Sequence, residues 1–197
     1  GLIALGFVLI YKATEIVNFA QGDLLMLGAF FAVTYIGILG LPYWLGFLLT
    51  IISMAVFGYL LDMVVIRSMI GESQFSIIIL TISIGFILRA VAGGIWGSDI
   101  LSLETPYSGE MADIAGLVIS QEYLVVIAGT VVLSVILFLF FKFSSLGVAM
   151  QAASQNQLAA YYMGVPVKRV FSLIWAISAL VAAVAGTLMA PISLVDP

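Results

Sequence analysis

Only 6 Lys and Arg and 10 Asp and Glu occur in 197 residues, so the few polar groups that interrupt apolar sequence limit what the chain can do. One such group is Lys12, Glu15, Asn18, Gln21 and Asp23, with Gly22 between the last two. Amides and carboxylates at membrane depth face protein or a water-filled path, where they can handle a polar solute. The same residues also suit an ordinary cytoplasmic turn between two helices, and the sequence leaves both readings of 18–23 open. Arg89 stands alone in a long apolar run, about two turns from its end. It could pair with a carboxylate, but snorkelling to the headgroups is the expectation.

Much other chemistry is excluded. The chain has no His and no Cys, which removes imidazole acid-base catalysis, thiol nucleophiles, disulfides and thiolate metal sites. Ionisable residues inside apolar sequence come down to Arg89 and Asp62, too few for paired-carboxylate catalysis or the relay of an ion-coupled carrier. Lys142 and Ser144 sit together only because a helix ends there. We therefore expect no catalytic residue, no metal site and no cofactor. No Gly-x-x-x-x-Gly-Lys-Ser/Thr loop occurs, so any ATP hydrolysis belongs to another polypeptide.

These residues are carried on elements set by hydropathy. With 64% hydrophobic and 8% charged residues and a mean hydropathy of +1.29, the chain could not cover itself in water. Its apolar runs are continuous rather than alternating, which predicts membrane helices and not a barrel. Segment 2–11 is too short to span, and crossings of roughly 20 residues follow at 24–40, 44–66, 75–96, 123–141 and 170–190. The expectation is an all-α polytopic protein with about six membrane helices, one domain over 1–197 that is truncated at both ends. Pro42 opens the third helix. Gly28, Gly37, Gly40, Gly46 and Gly58 are expected at helix contacts. Segment 142–169 is polar and alanine-rich, and predicts a short amphipathic helix over 145–163 closed by Gly164 and Pro166.

Sidedness comes from the basic residues. Lys12, Arg67, Lys142, Lys168 and Arg169 fall in alternate loops on one side, and none falls on the other. The rule that cytoplasmic loops hold Lys and Arg puts loops 12–23, 67–74 and 142–169 inside and loop 97–121 outside. Tyr43, Trp44, Trp96 and Tyr123 then form an outer aromatic belt. The outer loop carries Asp99, Glu104, Glu110 and Asp113, with Glu122 just after it, and no basic residue. It is either a solvated loop or a landing surface for a soluble protein with a basic rim.

Two stretches resemble one family. Ser145–Leu188 includes Leu146-Gly147, Leu158-Ala159-Ala160, Met163-Gly164-Val165 and the tail Ala182-Ala183-Val184-Ala185-Gly186. It looks like the cytoplasmic coupling segment and following helix of the branched-chain amino acid permease family of ABC importers. Leu5-Gly6, Leu9-Ile10-Tyr11, Val17-Asn18-Phe19-Ala20-Gln21-Gly22-Asp23 and Met26-Leu27-Gly28-Ala29 resemble the N-terminal signature of the same family. Three positions depart from its pattern. Gln21 stands where His is usual, Leu158 where the importer coupling motif has Glu, and Gln151 near a usual Arg.

The resemblance implies a permease subunit in the inner membrane of a prokaryote, with Gly147, Ala159, Ala160, Gly164 and Val165 in contact with an ATPase. It also implies a second permease subunit, two ABC ATPase subunits, an external substrate-binding protein and an amino acid substrate, with membrane lipid around it and no nucleic acid partner. Asn18, Gln21 and Asp23 would line the translocation path. Urea or short amides are alternative cargoes, and an ion-coupled carrier of small polar solutes is the alternative mechanism. From composition alone, 145–163 is equally an amphipathic connector resting on the membrane surface.

Overall fold

Backbone amides in apolar sequence have only one another to bond to, which makes helix the default for every long run of this chain. A computed structural model describes residues 2–14, 17–69, 72–97, 101–103, 105–109, 111–114, 117–193 and 195. Its helices are α1 (Leu2–Thr14), α2 (Gln21–Ala32), α3 (Tyr43–Val64), α4 (Gln74–Trp96), α5 (Gln121–Phe143), α6 (Ser145–Gln155), α7 (Gln157–Tyr162) and α8 (Val167–Met189). A π-helical stretch, Val33–Ile38, continues α2, and a 3₁₀ turn, Ile66–Met69, follows α3.

Five stretches are long and apolar enough to cross a membrane: Gln21–Ile38, Tyr43–Met69, Phe75–Trp96, Gln121–Phe143 and Val167–Met189. The protein is a polytopic all-α membrane protein. Among the described residues these five, with α1, whose 13 residues fall short of a bilayer as expected for segment 2–11, make up the six helices read from sequence.

α8 is the centre of the bundle, packed by α1, α2, α3, α5, α6 and α7. Lipid supplies no hydrophobic drive for helix association, so contact depends on small residues that let backbones meet. A Cβ at Gly58 of α3 would lie 2.5 Å from the Trp175 carbonyl oxygen and 2.6 Å from Ala179 Cβ. One at Gly28 of α2 would lie 2.8 Å from Ala183 Cα, and one at Gly186 of α8 would lie 2.8 Å from the Ala29 nitrogen. Gly46 is also closed over, by Ile36, whereas Gly37 meets only Val33 and Gly40 faces open space at φ +65°. Gly40 therefore serves the turn before Pro42 rather than a helix contact.

Two of the basic residues share one end of the bundle. Arg67 Nη2 lies 3.5 Å from the Lys168 carbonyl oxygen, which places the end of α3 beside the start of α8. At the opposite end Leu101 and Val195 exchange two backbone hydrogen bonds of 3.0 Å, and Tyr43 bonds Tyr107 at 2.7 Å.

Connection 97–121, expected to be irregular, carries a small antiparallel hairpin, β1 (Met111–Ile114) with β2 (Leu117–Ser120), in which Met111 faces Ser120. Strands of four residues are too short to register as a pattern in sequence. Asp99, Glu104 and Glu110 lie outside the described residues. The aromatic belt is only half a belt: Trp44 and Tyr123 are exposed, but Tyr43 is buried and Trp96 turns inward to stack on Phe30 and donate to Thr34 Oγ1 at 2.8 Å.

Replacing Gly58 with Val should force α3 off α8 and cost about 1–3 kcal/mol, whereas Gly94→Ala, which meets nothing within 4 Å, should not destabilise. Thermal unfolding of the two variants in detergent measures the contrast.

Candidate functional site

The polar residues at the start of α2 lie inside the bundle. Asn18, Gln21 and Asp23 are 1%, 3% and 7% exposed. Asn18 Oδ1 accepts from the Ala20 amide at 3.0 Å, and the Phe19 amide donates to Thr81 Oγ1 of α4 at 3.3 Å. Ser178 Oγ donates to Gln21 Oε1 at 2.9 Å, and Asn18 Nδ2 donates to the same oxygen at 3.4 Å. Gly6 of α1 backs Gln21: a Cβ there would run into the amide of its side chain.

Depth follows from these partners. Ser178 is the middle residue of α8, and Gly85, which touches Asp23, is the middle residue of α4. α2 therefore begins halfway through the bundle rather than at its edge. Residues 18–23, read from sequence as part of loop 12–23, are packed among α1, α4 and α8 rather than solvated.

Arg89 pairs with Asp23. Its Nε donates to Asp23 Oδ1 at 2.5 Å, so the expected snorkelling gives way to an ion pair. Asp23 is in the first turn of α2, where the helix dipole also favours a negative charge. The Arg89 side chain is still 60% exposed in the isolated chain. At this depth an arginine facing lipid would cost about 2.5–3.5 kcal/mol on insertion scales. Pairing with Asp23 offsets part of that cost, and Ile82 and Phe86 are exposed beside the pair. α5 is the contrast: Ile127, Val131, Val135, Ile136 and Phe138 are exposed there, and together they make a face that lipid can cover.

A second polar cluster joins α3 to the start of α8. Ser172 Oγ donates to Asp62 Oδ2 at 2.6 Å, and Arg67 Nη2 donates to Ser172 Oγ at 2.5 Å and lies 3.8 Å from Asp62 Oδ2. Sequence reasoning singled out Asp62 but missed Ser172 and Ser178. Two serines six residues apart in an otherwise apolar helix were the available signal, since polar groups at depth face the bundle.

The segment between α5 and α8 is two helices rather than one over 145–163. Asn156 adopts extended φ −157°, ψ 100° between α6 and α7, and its Oδ1 caps α7 through the Ala159 amide at 2.9 Å. Asparagine offers the backbone this alternative to helix, which the alanines around it conceal. Ser144 caps α6 through the Gly147 amide at 2.9 Å. Gly147 is buried where a Cβ would lie 2.6 Å from the Phe140 carbonyl oxygen, so it holds α6 against the end of α5.

α7 ends in a Schellman turn: Val165 N bonds Ala160 O and Gly164 N bonds Tyr161 O, each at 3.0 Å, with Gly164 at φ +83°. Ala160 is buried while Ala159 and Gly164 are exposed. Leu158, Tyr161, Tyr162 and Met163 form a bare apolar surface around them, Met163 being 85% exposed. The five residues singled out by resemblance thus divide: Gly147, Ala160, Gly164 and Val165 shape the segment, and Ala159 lies on its open face.

The whole chain, residues 1–197, matches the family model described as branched-chain amino acid transport system / permease component. It is 28% identical to the high-affinity branched-chain amino acid transport system permease protein BraD of Pseudomonas aeruginosa, over 96% of this chain and 66% of that protein. It is 30% identical to the probable branched-chain amino acid transport permease protein LivH of Methanocaldococcus jannaschii, over 95% of this chain and 61% of the relative. With the high-affinity LivH of Escherichia coli K12 the identity is 24%, over 96% and 65%. The chain spans a little under two thirds of the length of these relatives. No solved structure matches it.

The Gln21–Ser178 bond joins α2 to α8 at mid-depth. A double-mutant cycle with Gln21→Leu and Ser178→Ala should return a coupling of about 0.6 kcal/mol and no more than about 1.7, read from unfolding in detergent. A coupling of zero would show that this bond adds nothing to the joint between α2 and α8.

Proposed function

Because the chain belongs to the family of permease components of branched-chain amino acid transport systems, we propose that it is the membrane-spanning part of an ABC importer subunit that translocates branched-chain amino acids. The observation that carries the reading is a polar element, Asn18, Gln21 and Asp23, held at the middle depth of two membrane helices. The relatives reported above are all named for branched-chain amino acids, which favours that cargo over urea or short amides and an ABC system over an ion-coupled carrier.

The α6–α7 segment is the dock for a separate ATPase, with Leu158, Ala159, Tyr161, Tyr162 and Met163 as its apolar contact. These 197 residues carry no phosphate-binding loop, and ATP hydrolysis is assigned to a partner ATPase chain. A second permease subunit covers the α4 face that carries Arg89. An external binding protein delivers the substrate to the opposite end, where the hairpin and Tyr107 lie. The membrane is the cytoplasmic membrane of a prokaryote, with Arg67, Lys142, Lys168 and Arg169 on the inner side.

ATP-dependent leucine uptake in proteoliposomes that hold the full-length permease, its partner subunits and the binding protein is the direct test. Saturable uptake that needs every component is expected. Uptake driven by an ion gradient without the binding protein would replace the importer with a secondary carrier. In the same system Gly164→Val, which forces a β-branched residue into the left-handed region at about 1–2 kcal/mol, should lower leucine moved per ATP hydrolysed; normal transport by it would sink the docking role. Sidedness has its own check. The chain has no cysteine, so single Ser68→Cys and Ser108→Cys variants should react with a membrane-impermeant maleimide from opposite faces.

A further inference from the structure

Beside α4 lies a groove of about 210 Å³ whose lining is Phe19, Asp23, Ile82, Gly85, Phe86 and Arg89. It holds one anion, one cation, three large apolar side chains and a glycine. We propose that this groove binds the transported amino acid itself, with Arg89 taking the carboxylate, Asp23 the ammonium, and Phe19, Ile82 and Phe86 the branched side chain. The proposal rests on the importer reading above and names the substrate contacts of that path.

The ion pair is built in a way that leaves it able to bind. It is made through Arg89 Nε and Asp23 Oδ1, and among the described residues no side chain or backbone group engages Asp23 Oδ2 or the two terminal nitrogens of Arg89. A zwitterion laid antiparallel to the pair places its ammonium at Oδ2 and its carboxylate on the guanidinium fork, giving a ring of alternating charges. Charge is balanced before and after binding, so no uncompensated ion is left at membrane depth.

Gly85 lets the carboxylate lie close to α4, because a Cβ there would meet Asp23 Oδ2 and push it aside. The groove also has a selectivity rule. A side chain with its own charge would meet Phe19, Ile82 and Phe86 without a partner, whereas leucine, isoleucine or valine meets apolar surface.

Position supports the same assignment. The groove opens on the α4 face that carries Arg89, at the depth where α2 begins, and its Phe19 wall is held by the bond from the Phe19 amide to Thr81. A discontinuous helix that starts at mid-depth beside a charged pair is the kind of element that carries solute sites in membrane transporters.

The test is leucine uptake per ATP hydrolysed by the full-length assembly in proteoliposomes. Arg89→Gln and Asp23→Asn should each lower that ratio at least about tenfold, the effect of losing one charge-assisted contact. Ile82→Trp, which fills the groove and leaves both charges in place, should do the same. The exchange Asp23→Arg with Arg89→Asp remakes the pair with its polarity reversed; it should not restore uptake if the pair binds a zwitterion in a fixed orientation. Wild-type uptake by Ile82→Trp, or full rescue by the exchange, would reduce the pair to a structural clamp and overturn the proposal while the importer reading stands. An unmodified assembly that moves no leucine would overturn both.

Discussion

Everything in this bundle depends on how closely α8 is approached. In water the packing of a helix is driven by removal of apolar surface from solvent, but in lipid that drive is absent, and association relies on contact between backbones. α8 meets α2 across Gly28 and Gly186 and α3 across Gly58, at distances where no side chain fits. These contacts fix more than stability. They set Ser178 against Gln21 and Ser172 against Asp62, so each polar cluster is assembled by an apolar interface one or two turns away from it.

The start of α2 illustrates how amides at a break inside a membrane can be taken up within the protein. The Ala20 amide is taken by Asn18 Oδ1, the Phe19 amide by Thr81, and the Leu24 amide by the Ala20 carbonyl at 2.9 Å. Gln21 and Asp23 are held by α8 and α4 respectively. Irregular backbone at depth is tolerated only where protein or water satisfies it, and here the Asn18 side chain and Thr81 of α4 supply partners for Ala20 and Phe19. The residues that look most like a loop in sequence are thus among the most constrained in the fold.

That is also where the sequence was hardest to read. Long apolar runs announced α3, α4, α5 and α8 to within three residues at each end, because length and hydropathy are local properties. The polarity of 18–23 was visible, but its place was not: the deciding partners, Thr81, Arg89 and Ser178, are 62, 66 and 157 residues away from Phe19, Asp23 and Gln21. Arg89 was assigned to the headgroups for the same reason, since a lone arginine two turns from a helix end shows no partner in one dimension. The break at Asn156 and the hairpin at 111–120 failed differently, each being shorter than the window over which a period can be counted.

α8 also determines how the two functional regions are related under the proposed reading. From Val167 to Ser178 is about three helical turns, roughly 16 Å, with no glycine or proline between them and therefore no ready place to bend. Its lower end is fixed on one side by the Schellman turn at Gly164 and on the other by Arg67, Ser172 and Asp62. A displacement that reaches Val167 has no soft joint in which to dissipate before it reaches Ser178. It must either carry Gln21 with α8 or break the bond between them, and in both cases the start of α2, with Asp23 on it, shifts relative to Arg89. A dock at one end of the bundle and a polar element at its middle are then parts of one mechanical unit, without any need for a separate chain of residues to connect them.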